Sequence, residues 1–188
     1  MYSVEPAAPR GLERLVDRLA GYGAYHRDAR NLITHLIGIP MIVVAVAILL
    51  SRPTLDLGDV HLNPAMVVAG LAAAWYLGLD LRFGAVMTVL LTAAVVTGDA
   101  LADRSTGVWL GWGLGLFVVG WIFQAVGHVF EGRKPAFLDD VAGLLIGPLF
   151  VVSETAFMIG LRREVAAAIE ARVGPLRVRE RRRPVRPH

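Results

Sequence analysis

The chain has 188 residues, 55% of them hydrophobic, and its mean hydropathy is +0.56. This composition is too apolar for an ordinary soluble domain, and the apolar residues fall in long blocks, which indicates membrane helices. The chain contains no cysteine, which excludes disulfides, thiolate metal sites and cysteine nucleophiles. The net charge is +3, from 19 basic and 16 acidic residues.

The first predicted element is an amphipathic helix over residues 11–23. Leu12, Leu15 and Leu19 lie on one of its faces, and charged side chains occupy the rest. Such a helix either lies on the membrane surface or packs on the cytoplasmic face of the protein itself. The sequence does not choose between these two, and residues 1–24 are assigned as an N-terminal amphipathic interfacial segment.

Five apolar blocks follow, each close to the ~20 residues that cross a bilayer core. They are residues 32–50, 62–79, 83–98, 107–129 and 141–160. The last block contains Pro148 and Glu154, which favours a bent, re-entrant or interfacial segment over a straight span. The predicted fold is an all-α, polytopic membrane helical bundle with four to five membrane segments plus the N-terminal amphipathic helix. Residues 25–160 form the membrane-embedded bundle.

Basic residues set the predicted orientation. The first 31 residues contain five arginines, so the N-terminus is expected in the cytoplasm, with the bundle in the inner membrane if the organism is a bacterium. A straight fifth span would export nine arginines, from Arg162 onward, so block 141–160 is expected to return the chain to the cytoplasm. Residues 161–188 then form a basic cytoplasmic tail, for which anionic lipid is a better partner than nucleic acid.

Three histidines are predicted to lie at one membrane depth. His26 and His35 stand at the cytoplasmic end of the first block, and an even number of spans returns His128 to the same side. Ionisable side chains at membrane depth indicate a functional site, and three imidazoles without cysteine suit Fe(II), Zn(II) or Mn(II). The alternative is that each imidazole is a hydrogen-bonded surface or cap residue. His61 and His188 are interpreted as structural or incidental.

The segment before His35 requires a turn. His26 and His35 are nine residues apart, which would place them on opposite sides of a continuous helix. The chain must therefore turn between them, with Asp28 or Asn31 as the helix N-cap. Gly38, beside His35, lets another helix approach closely.

The second histidine segment presents its polar residues on one helical face. Gln124, His128 and Glu131 follow one another at spacings of four and three residues. Glu131 is predicted either to be a fourth metal ligand or to orient a ligating imidazole. Gly127 allows the same close helix approach as Gly38.

The two histidine segments resemble those of a known family. They are "YHRDARNLITHLIGIP" at residues 25–40 and "QAVGHVFEGRKPA" at residues 124–136. Together they are similar to the paired motifs of small membrane 2-hydroxy fatty acid dioxygenases of the phytosphingosine-to-odd-chain-fatty-acid type, a family of unassigned function in bacteria. The resemblance covers roughly residues 20–160.

The resemblance implies an Fe(II)-dependent dioxygenase that uses O2 to shorten a 2-hydroxy fatty acid by one carbon (α-oxidation) within the membrane. The iron ligands it implies are His26, His35 and His128, with Glu131 as a candidate fourth. Candidate contacts to the substrate are the polar and basic side chains near these segments: Arg27, Arg30, Asn31, Gln124, Arg133 and Lys134. The acyl chain is expected between spans one and four, reached from the bilayer.

Two alternatives stay open. The first is a different metal-dependent lipid oxidase, although five histidines are too few for the histidine clusters of membrane fatty-acid hydroxylases. The second is a non-catalytic metal-binding membrane protein, such as a transporter or an assembly factor. The sequence does not indicate an oligomeric state.

Overall fold

Seven α-helices and one short β-hairpin make up the part of the chain that the computed structural model describes, which is residues 10–58, 60–132 and 143–178. In chain order the elements are α1 (Arg10–Gly23), α2 (Ala29–Ser51), β1 (Leu55–Leu57), β2 (Val60–Leu62), α3 (Pro64–Leu79), α4 (Leu81–Ala102), α5 (Thr106–Glu131), α6 (Gly143–Met158) and α7 (Arg163–Val173). The strands β1 and β2 are antiparallel. The hairpin occupies a link for which the sequence predicted no strand.

Short polar side chains determine where the apolar helices begin. Asp28, Asn63, Asp80 and Ser105 stand immediately before α2, α3, α4 and α5, and each accepts a hydrogen bond from a backbone N–H of the first turn. This contact satisfies one of the N–H groups that a helix start leaves without an intrahelical partner. At the other end of α5, Gly132 adopts the left-handed conformation that commonly ends a helix. Of the two N-caps predicted for the first span, Asp28 is the one used.

The predicted all-α membrane bundle is confirmed. Within the described residues, α2, α4 and α5 are long and apolar enough to cross a bilayer, and α3 is shorter at 16 residues. The helices α6 and α7 together pass the same test, but they are bent by 113° at the break between them. The described part of the chain therefore has three candidate spans, or four if the bent pair is one span.

Helix α1 packs against the protein through its apolar face. Leu15 and Leu19 are fully buried in a cluster with Phe150 of α6 and Ile169 of α7. Of the two placements predicted for α1, the structure shows the packing on the protein itself, and the side of the membrane stays a prediction. The helix α7 lies within the stretch predicted as a tail, and its Arg172 also forms an ion pair with Asp17 of α1.

Asp80 joins the α3–α4 turn to the break between α6 and α7. Its carboxylate accepts hydrogen bonds from Arg162 at 3.0 Å and from the backbone N–H groups of Arg82 and Phe83. Burial raises the pKa of Asp80, but the hydrogen bonds from Arg162 and from the backbone outweigh that effect and hold the pKa below its ordinary value. Arg162 has a left-handed backbone and lies 4.9 Å over the ring of Phe83.

The Asp80–Arg162 pair should make stability depend on pH. Because the carboxyl has a lower pKa in the folded state, its contribution is present above the unfolded value of about 3.9 and is lost as pH falls through the folded pKa. Asp80→Asn keeps an N-cap but removes the charge, so we expect its melting temperature in detergent to fall at neutral pH and to approach that of the unmutated protein below about pH 4. Asp80→Ala should be less stable still, by about 1 kcal/mol for the lost cap. Equal melting curves at neutral pH would contradict the pair's role.

Candidate metal centre

The helices α2 and α5 are antiparallel and touch at glycines. A Cβ added to Gly38 would lie 2.7 Å from the Gly120 carbonyl oxygen, and one added to Gly120 would lie 2.7 Å from Ile42 Cγ1. One turn from the end of α5, a Cβ on Gly127 would lie 3.1 Å from His35 Nδ1 and would collide with Thr34. Side chains at these glycines would push the helices apart. The contact register therefore sets His35 opposite Gly127 and beside His128.

His26 reaches the same place through the turn that the sequence predicted. Helix α1 ends at Gly23, whose carbonyl accepts the backbone N–H of His26 at 3.0 Å. The imidazole stacks on the ring of Tyr22, with 4.1 Å between centroids and 9° between planes. The turn thus brings His26 over the face of α2 that contains His35.

The three imidazoles form a compact, buried cluster. One ligand nitrogen from each of His26, His35 and His128 lies within 4.8 Å of the other two. The ring centroids are 4.5 Å apart for His26 and His35, and 5.1 Å apart for each other pair. The exposed fractions of His26, His35 and His128 are 0%, 1% and 8%.

Hydrogen bonds fix the tautomers of two of these rings. His26 Nδ1–H donates to the Tyr22 carbonyl at 2.7 Å, and His35 Nδ1–H donates to the Asn31 carbonyl at 2.9 Å. Each Nε2 then has a lone pair available, and His26 Nε2 is buried with no hydrogen-bond partner among the described residues. Burial lowers the pKa of His26, and the nearby His35 lowers it further, so the ring is neutral. A buried lone pair aimed into a group of three imidazoles fits a divalent transition metal.

Glu131 lies outside the histidine cluster and joins α5 to the start of α2. Its Oε2 accepts the backbone N–H of Asp28 at 2.7 Å and the side-chain amide of Asn31 at 3.2 Å. The carbonyl of Asn31 in turn accepts from His35. Glu131 thus joins the last turn of α5 to the residues that precede His35, and both of its predicted roles stay predictions.

The two basic substrate candidates that can be described have structural partners. Arg27 donates to the carbonyls of Gly23 and Gly174 at 2.9 Å and lies 3.8 Å from Glu154. It joins the turn before α2 to the segment that follows α7, and it does not line the cavity beside the histidines.

Arg30 points to the surface at the same end of the bundle. It pairs with Asp28 at 2.8 Å and lies 4.7 Å over the ring of Phe130. The other basic candidates, Arg133 and Lys134, lie outside the described residues, as does His188. His61 belongs to β2, which is separated from the His35 end of α2 by the length of that helix.

A cavity of about 400 Å³ opens beside the histidines. His35, His128, Gln124 and Tyr22 are its polar lining residues near the cluster, and aliphatic and aromatic side chains of α2, α3, α4, α5 and α6 line the rest. The sequence placed an acyl chain between spans one and four, which are α2 and α5. That position stays a prediction: residues of both helices line the cavity, together with residues of α3, α4 and α6.

Sequence reasoning missed Tyr22 and the C-terminal segment. Tyr22 stands four residues before His26, one helical turn, and this spacing was a signal that could have been used. The C-terminal segment pairs with the backbone of the histidine turn, since Ala29 N–H donates to Arg177 and Arg177 N–H donates to Arg27. No motif in the sequence indicates this pairing of the two segments.

Comparisons with known proteins show which family the chain is similar to. Residues 12–159 match the family model described as "2-hydroxy-palmitic acid dioxygenase Mpo1-like". A Saccharomyces cerevisiae protein named "2-hydroxy-palmitic acid dioxygenase MPO1" is 33% identical over 162 residues, which cover 85% of this chain and 90% of the yeast protein. No solved structure matches the chain. The family match includes both histidine segments.

Removing the Glu131 carboxylate should weaken metal binding at the histidine cluster. We expect Glu131→Ala to lower the affinity for a divalent metal about 10- to 100-fold, because Asp28 N–H and the Asn31 side-chain amide lose the acceptor that joins the start of α2 to α5. Glu131→Gln keeps an acceptor oxygen and should bind nearly as well as the unmutated protein. Chelator competition measures both affinities, with the exposed Glu13→Ala as the control. Unchanged affinity in Glu131→Ala would contradict the positioning role.

Proposed function

Because the chain belongs to the Mpo1-like family of 2-hydroxy-palmitic acid dioxygenases, we propose that it is a membrane-embedded, Fe(II)-dependent enzyme that shortens 2-hydroxy fatty acids by one carbon. The family membership confirms the predicted enzyme class, a dioxygenase. The iron dependence and the fatty-acid substrate are supported by the cluster of three buried imidazoles at one end of an apolar cavity. The proposal keeps the orientation that the arginines predict, with this histidine end on the cytoplasmic side.

His26, His35 and His128 are the residues that would hold the iron. Bound there, Fe(II) would supply activation of O2 and a Lewis acid for the polar head of a 2-hydroxy acid. The Tyr22 and Asn31 carbonyls hold two of the rings with Nε2 toward the cluster. Glu131 already accepts two hydrogen bonds from the start of α2, so we assign it to orientation and not to the ligand set.

Neutral donors in the cavity are suited to the polar head of the substrate. The lining residues include no Lys, Arg, Asp or Glu among the described positions. The Gln124 side-chain amide is buried, and its Nε2 has no hydrogen-bond partner within the described chain. Burial raises the pKa of the Tyr22 phenol, which keeps it a donor. We assign Tyr22 and Gln124 to hydrogen bonds with the carboxylate or hydroxyl of the acid.

The overall reaction balances with one O2. R–CHOH–COOH and O2 give R–COOH, CO2 and H2O, so the bond between carbons 1 and 2 breaks and carbon 2 becomes the new carboxyl. The chain's own residues bind and orient the acid and keep bulk water from the reacting carbons. Full burial of His26 and the apolar lining of the cavity support that exclusion.

Metal content and turnover together test the proposal. Purified protein should contain about one iron per chain, lost in His35→Ala and His128→Ala but kept in His61→Ala, because three imidazoles set the site. With Fe(II), O2 and a 2-hydroxy fatty acid, the unmutated protein should yield the acid one carbon shorter. If iron is bound but no chain length gives product, a metal-binding transporter or assembly factor is favoured. If all variants retain the metal, the site assignment fails.

Tyr22→Phe separates substrate binding from iron binding. The variant keeps the ring that stacks on His26 but loses the hydroxyl, so iron content should not change. A lost hydrogen bond to a charged group corresponds to a KM increase of about tenfold or more, with a smaller effect on kcat. Steady-state kinetics with a 2-hydroxy acid measures the changes in KM and kcat separately. An unchanged KM would remove Tyr22 from the substrate site.

A further inference from the structure

The cavity beside the histidines continues as an apolar groove that residues of α2, α3, α4, α5 and α6 line. On α2 the lining positions are Ile39, Ile42, Val43, Val46, Ala47 and Leu50, which recur at helical spacing from His35. On α5 the spacing continues back from His128 through Gln124 and Trp121 to Phe117. Small residues of α3 line the groove from the other side: Ala65, Ala69 and Ala72. Both helical rows thus end in a histidine of the cluster.

The length of this groove is comparable to that of a long acyl chain. Leu50 stands 15 positions after His35 on α2, which is about 22 Å along the helix at 1.5 Å per residue. One leaflet of a bilayer core, which a membrane acyl tail fills, is about 15 Å thick. The groove is therefore long enough for an extended acyl tail whose head lies at the histidines.

Alanines on neighbouring helices form the far part of the groove. Ala94 of α4 lines it and is 4% exposed. It lies one turn before Gly98, where an added Cβ would meet the Ala47 carbonyl oxygen at 2.8 Å. Ala65, at the start of α3, is also buried against this region. These small side chains leave the volume that the terminal part of a tail would occupy.

We propose that the far half of the groove, formed by Leu50, Ala65 and Ala94, sets the acyl chain length that the protein prefers. This inference rests on the proposed function, since it requires carbons 1 and 2 of the acid to be held at the histidine cluster. With the head fixed, each added methylene moves the terminal methyl further along α2. A larger side chain at Ala94 then shortens the longest tail accepted, and a smaller one at Leu50 lengthens it.

Two substitutions with opposite effects test the inference. The assay is turnover of a series of saturated 2-hydroxy fatty acids of increasing length, compared by kcat/KM. One methylene in an apolar pocket changes this ratio about 10- to 200-fold. Ala94→Leu should lower it by at least about tenfold for the longest good substrates of the unmutated protein and leave shorter ones nearly unaffected. Leu50→Ala should move the optimum to longer chains.

Ala93 supplies the matched control, because it is exposed on the outer face of the same helix. Ala93→Leu adds the same volume outside the groove and should leave the chain-length profile unchanged. If Ala94→Leu is inactive at every chain length, its iron content shows whether the variant is misfolded or has lost only substrate binding. The chain-length profile of Leu50→Ala then tests the inference by itself. Profiles of the same shape in all variants would overturn the inference while turnover continued to support the proposed function. Absence of turnover in the unmutated protein would instead overturn the proposed function.

Discussion

The packing of α2 against α5 determines how the rest of the histidine end is arranged. Within a bilayer there is little hydrophobic drive between helices, so close contact depends on small residues that let backbones approach. Gly38, Gly120 and Gly127 provide this contact, and a Cβ at any of them would overlap the facing helix. The register that brings the glycines together also sets His35 beside His128. A histidine cluster made from two distant parts of the chain follows from one helix contact.

Polar groups at this end of the bundle are buried, and most of them have partners that fix their position. Burial of an unpartnered polar group is costly, and the cost is greater in lipid. Glu131 joins α5 to Asp28 and Asn31, and Arg27 joins the histidine turn to the segment after α7. His26 Nε2 is an exception within the described residues, and its lone pair faces two other imidazoles. That exception is where a metal would be expected.

The sequence predicted the elements of the site better than the space around it. The apolar blocks, the Asp28 cap and the turn before α2 depend on local periodicity and capping, which a single sequence displays directly. The position of the cavity depends on how closely α2 and α5 approach, a distance that a single sequence does not display. Helix α7 was missed because its apolar positions face α1 within a stretch dominated by arginine. Tyr22 was missed because its role depends on stacking with His26.

We expect three imidazoles from two distant segments to bind one iron. X-ray absorption at the iron edge of the purified, iron-loaded protein reports the ligand atoms directly. We expect a shell of nitrogen and oxygen ligands that contains the multiple-scattering signal of about three imidazoles, since His26, His35 and His128 converge. A shell of oxygen ligands without that signal would contradict iron binding by the three histidines.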